Sequence, residues 1–102
     1  MIRILLSAGM VLMLAISAVQ AAGDVQAGKA RAAACAGCHG ANGEGVGTNP
    51  ALAGKSEDQL VQAMKDFKSG KRDNAVMKAM VSPLSDGDMA NLGAYYASLK
   101  AK

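Results

Sequence analysis

The segment Cys35-Ala36-Gly37-Cys38-His39 contains both cysteines and the one histidine of this 102-residue chain. Two thiols three residues apart, followed at once by an imidazole, form the C-x-x-C-H spacing of covalent haem attachment. Each thiol can form a thioether to a vinyl group on one edge of a porphyrin. His39 then lies under the ring, where an imidazole nitrogen can reach the iron. Other uses of these residues fit less well. A structural zinc needs four Cys or His ligands, more than the two cysteines and single histidine can supply. A thioredoxin-like redox pair belongs at the start of a helix in a βαβ unit, and no strand pattern surrounds Cys35. A disulfide staple leaves His39 unexplained. The motif predicts one covalent haem c, attached through Cys35 and Cys38 and ligated by His39.

The N-terminus reads as a targeting segment. Arg3 supplies a positive start, and an apolar run from Ile4 to Val19 is broken only by Ser7, Gly9 and Ser17. Val19-Gln20-Ala21 then offers small residues at the −3 and −1 positions of a cleavage site. The run is shorter than the ~20 residues that span a bilayer, and no basic stop-transfer cluster follows it. The expectation is a leader over residues 1–21, removed after Ala21. That leaves one domain over residues 22–102, with no membrane span, exported to a periplasm-like compartment. A domain of about 80 residues is near the size at which a core needs outside help. The sequence has one Phe, two Tyr and no Trp, so the cofactor itself is expected to fill part of the core.

Charge adds little. The chain is formally +3, Arg3 would leave with the leader, and two ionised haem propionates would bring the rest close to zero. Without a basic run or a basic patch interleaved with aromatics, nucleic-acid binding is not expected. Lys65, Lys68, Lys71 and Arg72 could form a local positive face.

The remainder reads as helices joined by glycine-rich loops. Asp24 is a good N-cap for a helix from Val25 to about Ala34, and Gly28 inside it suggests close approach of another backbone or a ring. Gly40, Gly43, Gly45, Gly47 and Gly54, with Asn42, Asn49 and Pro50 among them, make residues 40–54 a loop. Ser56-Glu57-Asp58-Gln59 is a capping box. The helix it opens places Leu60, Met64 and Phe67 on one stripe and stops at Gly70. Ser85 opens a last helix, with Asp86 and Asp88 in its first turn and Met89, Leu92, Tyr96 and Leu99 at helical spacing. Met64 and Met89 are core by this pattern. No segment alternates long enough to argue for a strand.

His39 leaves one face of the iron open. A thioether there would keep the iron six-coordinate and raise its potential. Met77 and Met80 lie in a short, poorly periodic stretch between Gly70 and Pro83, where a loop could cross the far haem face. Three residues apart, they would point the same way in a helical turn, so spacing alone does not choose between them.

The order Cys35-x-x-Cys38-His39, Pro50-Ala51-Leu52-Ala53-Gly54, Gly70-Lys71-Arg72, Met77-Lys78-Ala79-Met80, Pro83-Leu84-Ser85-Asp86 and Ala94-Tyr95-Tyr96-Ala97-Ser98 resembles a class I c-type cytochrome. It is similar to the small bacterial c-553 and c-554 proteins and to one half of the two-domain di-haem periplasmic cytochromes. The resemblance implies an all-α class I cytochrome c fold wrapped around one haem, with Met77 as axial ligand and Met80 the runner-up. It implies that the Pro50 carbonyl accepts a hydrogen bond from the free ring nitrogen of His39. It also implies that the first and last helices cross with Gly28 against Leu92 or Tyr95. One departure is the absence of Trp, which in many members binds a haem propionate. Lys71 or Arg72 could substitute, but the sequence leaves the propionate partners open. The function implied is an electron carrier, not an enzyme, working between a quinol-oxidising complex and a terminal oxidase or reductase, with a weak homodimer through the haem edge allowed for. The rival is a haem-based gas-binding or sensor protein with an open sixth position. Against that rival, the motif falls near the start of the mature chain rather than near the C-terminus of a four-helix bundle.

Overall fold

The structure is a computed structural model that describes residues 23–101. The expected leader and its cleavage site lie outside the described residues. Four helices follow one another: α1 (Val25–His39), α2 (Glu57–Ser69), α3 (Ala75–Val81) and α4 (Asp86–Ser98). Among the described residues no strand forms, only an isolated bridge between Val46 and Asn49. The chain is all-α, as the loop and cap pattern predicts.

Side chains at the helix starts explain where the helices begin. Asp24 accepts from the N–H groups of Gln26 and Ala27, Ser56 and Gln59 form a reciprocal capping box, and Asn74 accepts from Met77 N–H. Ser85 and Asp88 form a second capping box, with Ser85 N–H donating to Asp88 at 3.0 Å. Each arrangement satisfies amides that the first turn of a helix leaves without partners. Gly70 closes α2 in the left-handed conformation.

Two elements differ from the sequence expectation. α1 does not stop near Ala34 but continues through the whole attachment motif to His39. Ala36, Gly37 and Cys38 have no apolar periodicity of their own, and the end of the helix beyond them is held by hydrogen bonds from the following loop to Cys38 O and His39 O. The stretch containing Met77 and Met80 is not a loop but the seven-residue helix α3, capped by Asn74.

α4 packs across both α1 and α2, and α3 packs on α2. The core joins Ala32 of α1, Leu60 of α2, Val81 of α3 and Met89, Leu92, Tyr95 and Tyr96 of α4, with Leu84 from the connecting turn. Met89 is 1% exposed. Met64 and Phe67 pack against this cluster, in keeping with the stripe expected for α2.

The depth of the α1–α4 contact is set at Gly28. A Cβ there would lie 1.9 Å from Asn91 O and 2.8 Å from Tyr95 Cβ. The partner is thus Tyr95 together with the Asn91 backbone; Leu92 instead turns into the core. The same contact is tied at its edge, where Asp24 N–H donates to Asn91 Oδ1 at 2.8 Å, while Gly23 N–H ties the segment before α1 to α2 through Glu57 Oε1 at 2.9 Å.

The cations of the expected positive face are partly committed to the fold. Lys68 Nζ donates to Leu84 O, and the Arg72 guanidinium lies 4.4 Å from the Phe67 ring centroid.

Gly28→Ala forces α4 away from α1 and is expected to cost about 1–3 kcal/mol in denaturant unfolding, despite alanine being the better helix former. Asp88 offers a test by pH. Its carboxylate accepts from Ser85 N–H and pairs with Arg31 at 3.2 Å, and these contacts, the Ser85 bond first, hold its pKa below the ordinary value. The stabilisation is therefore fully present above pH ~4 and lost as pH falls below it. Asp88→Asn should lower Tm at pH 7, with the gap from the parent protein closing as pH drops through that range.

Candidate haem site

Cys35 and Cys38 stand three residues apart on the last turns of α1, so both thiols project from one side of the helix end. Neither is in a disulfide; Cys35 is half-buried and Cys38 exposed. Burial pushes the Cys35 thiol pKa up, and the neighbouring Cys38 adds to the rise, against a lowering by a hydrogen bond with the Tyr96 hydroxyl. A cysteine poised as a redox nucleophile shows the opposite shift. Tyr96 is itself buried, and burial first, then Cys35, holds its phenol pKa well above the usual range.

His39 is only 6% exposed. Its Nδ1 lies 2.8 Å from the Pro50 carbonyl oxygen. A carbonyl can only accept, so Nδ1 carries a proton, and in the neutral ring Nε2 is the nitrogen with the lone pair. That is the tautomer a metal-bound imidazole needs, with its other nitrogen oriented by an acceptor.

The loop that carries Pro50 is folded back on α1 by its own amides. Leu52 N–H and Ala53 N–H both donate to Gly43 O, at 2.8 and 2.9 Å, Gly45 N–H donates to His39 O at 2.7 Å, and Gly54 N–H reaches Tyr96 O at 3.1 Å. Gly43 has φ +66°, and a Cβ on it would lie 2.7 Å from two carbons of the Tyr96 ring. Only glycine meets both demands, a left-handed backbone and a ring edge this close to it.

Met77 is half-buried and packs against the same core cluster as Cys35, and its N–H donates to Asn74 Oδ1 at 3.0 Å. Met80, on the same helix, is 41% exposed. Two features of the site were not legible in the sequence: the placement of Tyr96 beside Cys35, and a hydrogen bond of 2.9 Å from Asn49 Nδ2 to Cys38 O. Asn49 stood among turn-forming residues, and Tyr96 fell on a helix stripe that core packing already explained.

Two unpaired thiols and an imidazole with a fixed tautomer suit a covalently held haem. Comparison with known proteins agrees. Residues 25–100 match the cytochrome c family model, and the chain belongs to that family. It is 48% identical over 81 residues to cytochrome c4 of Pseudomonas aeruginosa, a match that takes in 78% of this chain and 40% of that protein. Cytochrome c-554(547) of Halothiobacillus neapolitanus is 41% identical over 93 residues, covering 78% of this chain and all of that one. The crystal structure of reduced cytochrome c4 from Pseudomonas stutzeri superposes with a TM-score of 0.75 at 35% identity, over 79% of this chain and 48% of that one. The chain thus spans less than half of the cytochromes c4 it matches. The family and the single attachment motif imply one covalent haem c.

Gly43→Ala is expected to displace the Tyr96 ring and cost about 1–3 kcal/mol in denaturant unfolding of the haem-bearing protein. An unchanged midpoint, with unchanged near-UV circular dichroism, would contradict the close seat of the ring on this turn.

Proposed function

We propose that this chain is a single-haem electron carrier, with haem c held by thioethers from Cys35 and Cys38 and its iron ligated by His39 and Met77. The observation that carries the reading is the buried His39 imidazole, whose proton is fixed on Nδ1 by Pro50 and whose Nε2 is left to coordinate. When bound, haem c supplies an iron that accepts and returns one electron. His39 contributes a nitrogen donor that does not reorient, because its ring is held by the Pro50 carbonyl. Pro50 strengthens that donor by accepting a hydrogen bond from Nδ1–H. Met77 is favoured over Met80 because it packs on the core shared with Cys35, on a helix whose first turn is pinned by Asn74. A ligand set held in place on both sides changes little in geometry when the charge on the iron changes, which suits repeated electron transfer rather than turnover of a substrate.

The leader-like N-terminus supports export and cleavage after Ala21, which would place the carrier in the periplasm. Its donor would be a quinol-oxidising complex and its acceptor a terminal oxidase or reductase. Contacts with both would be brief and small, as redox encounters are.

The near-infrared Met-sulfur-to-iron charge-transfer band of the oxidised protein tests the ligand set. The band is expected in the parent protein and in Met80→Ala, and should vanish in Met77→Ala, with a lower midpoint potential. Survival in both variants would move the ligand to another methionine. A parent protein that lacks the band and binds carbon monoxide when reduced would instead be a gas-binding protein.

A further inference from the structure

α1 ends inside the attachment motif, so its last carbonyls lack intrahelical partners where the site needs a fixed backbone. Ala36 O accepts from Gly40 N–H at 2.9 Å and His39 O from Gly45 N–H at 2.7 Å. Continued helix would bring Asn42 N–H to Cys38 O, but Asn42 N–H donates to Glu44 Oε2 at 2.8 Å. The Asn49 side-chain amide takes its place, with Nδ2 2.9 Å from Cys38 O. The next residue, Pro50, accepts from His39 Nδ1 at 2.8 Å. Two adjacent loop residues thus grip two adjacent motif residues, Asn49 on Cys38 and Pro50 on His39. Asn49 is itself anchored: its N–H donates to Val46 O at 3.0 Å, and its carbonyl accepts from Val46 N–H at 3.2 Å. The following proline confines it to extended backbone.

One hydrogen bond fixes a distance but allows rotation about its own line. A second bond, between the neighbouring residues on each side, removes that rotation. We propose that Asn49 is a positioning residue for His39: by holding the Cys38 carbonyl, its amide keeps the Pro50 carbonyl in line with the imidazole Nδ1–H. The proposal rests on the reading of His39 as an axial ligand. An imidazole whose Nδ1–H is held in line is the stronger donor at Nε2 and favours oxidised iron. Asn49 therefore keeps the midpoint potential below the value a loosely held imidazole would give.

The test uses the haem-bearing protein with Asn49→Ala, Asn49→Asp and Thr48→Ala. Aspartate keeps the size and turn preference of asparagine but at neutral pH has no donor for Cys38 O. Thr48 is exposed in the same turn and serves as the control. The readouts are the midpoint potential and the solvent-exchange rate of the His39 Nδ1 proton by NMR of the ferric protein. Both Asn49 variants are expected to raise the potential and speed exchange severalfold, with haem content unchanged, while Thr48→Ala behaves as the parent. If Asn49→Ala does not mature, Asn49→Asp gives the same reading. The proposal is overturned if the Asn49 variants keep the parent's potential and exchange rate, or if Thr48→Ala shifts both equally. A parent protein with no iron-bound imidazole signal would remove the axial-ligand reading and this proposal with it. That result is distinct from a normal parent with unmoved variants.

Discussion

The carbonyl of Asn91 resting where a side chain on Gly28 would be is the contact on which the arrangement depends. It lets α4 lie directly on the backbone of α1. The same two helices then meet again where Cys35 packs against the cluster that holds Tyr96. A bulkier residue at the first contact would lift α4 and carry Tyr96 away from Cys35 at the second. Because Tyr96 also seats against Gly43 and accepts from Gly54 N–H, the loop that brings Pro50 to His39 is braced on α4 as well. Helix crossing, loop folding and imidazole orientation form one connected set of contacts.

Small residues carry much of this design. Ala32, Ala53 and Ala94 are buried alongside the few large side chains, and glycines make the closest approaches. Such a core offers limited apolar area for its length. A covalently attached porphyrin supplies area that the chain does not.

The features legible in the sequence were those with local causes. Asp24, Ser56 and Ser85 mark helix starts because each side chain bonds an amide two or three residues onward, and Gly70 marks a stop for an equally local reason. The attachment motif was legible because its chemistry depends on spacing alone. What could not be read depends on distant partners. α1 runs through Gly37, a poor helix former with open space beside it, and its end is held by the loop residues Gly45, Asn49 and Pro50. α3 has seven residues, too few for a period to show. Gly28 announced a close neighbour, yet that the neighbour included the Asn91 backbone follows only from the way α4 is rotated. Asn49 and Tyr96 belong to the site through contacts 11 and more residues away in sequence.

The seven-residue α3 packs chiefly on α2 and reaches the core shared with α1 and α4 through Val81. A short segment that buries one side chain, here Val81, opens locally at a lower free energy than the whole molecule unfolds. Amide exchange along residues 75–81 would then follow a shallower opening than exchange in α4. Events that release α3 and events that melt the protein are therefore separate transitions, and a mild perturbation can reach the first while leaving the second untouched.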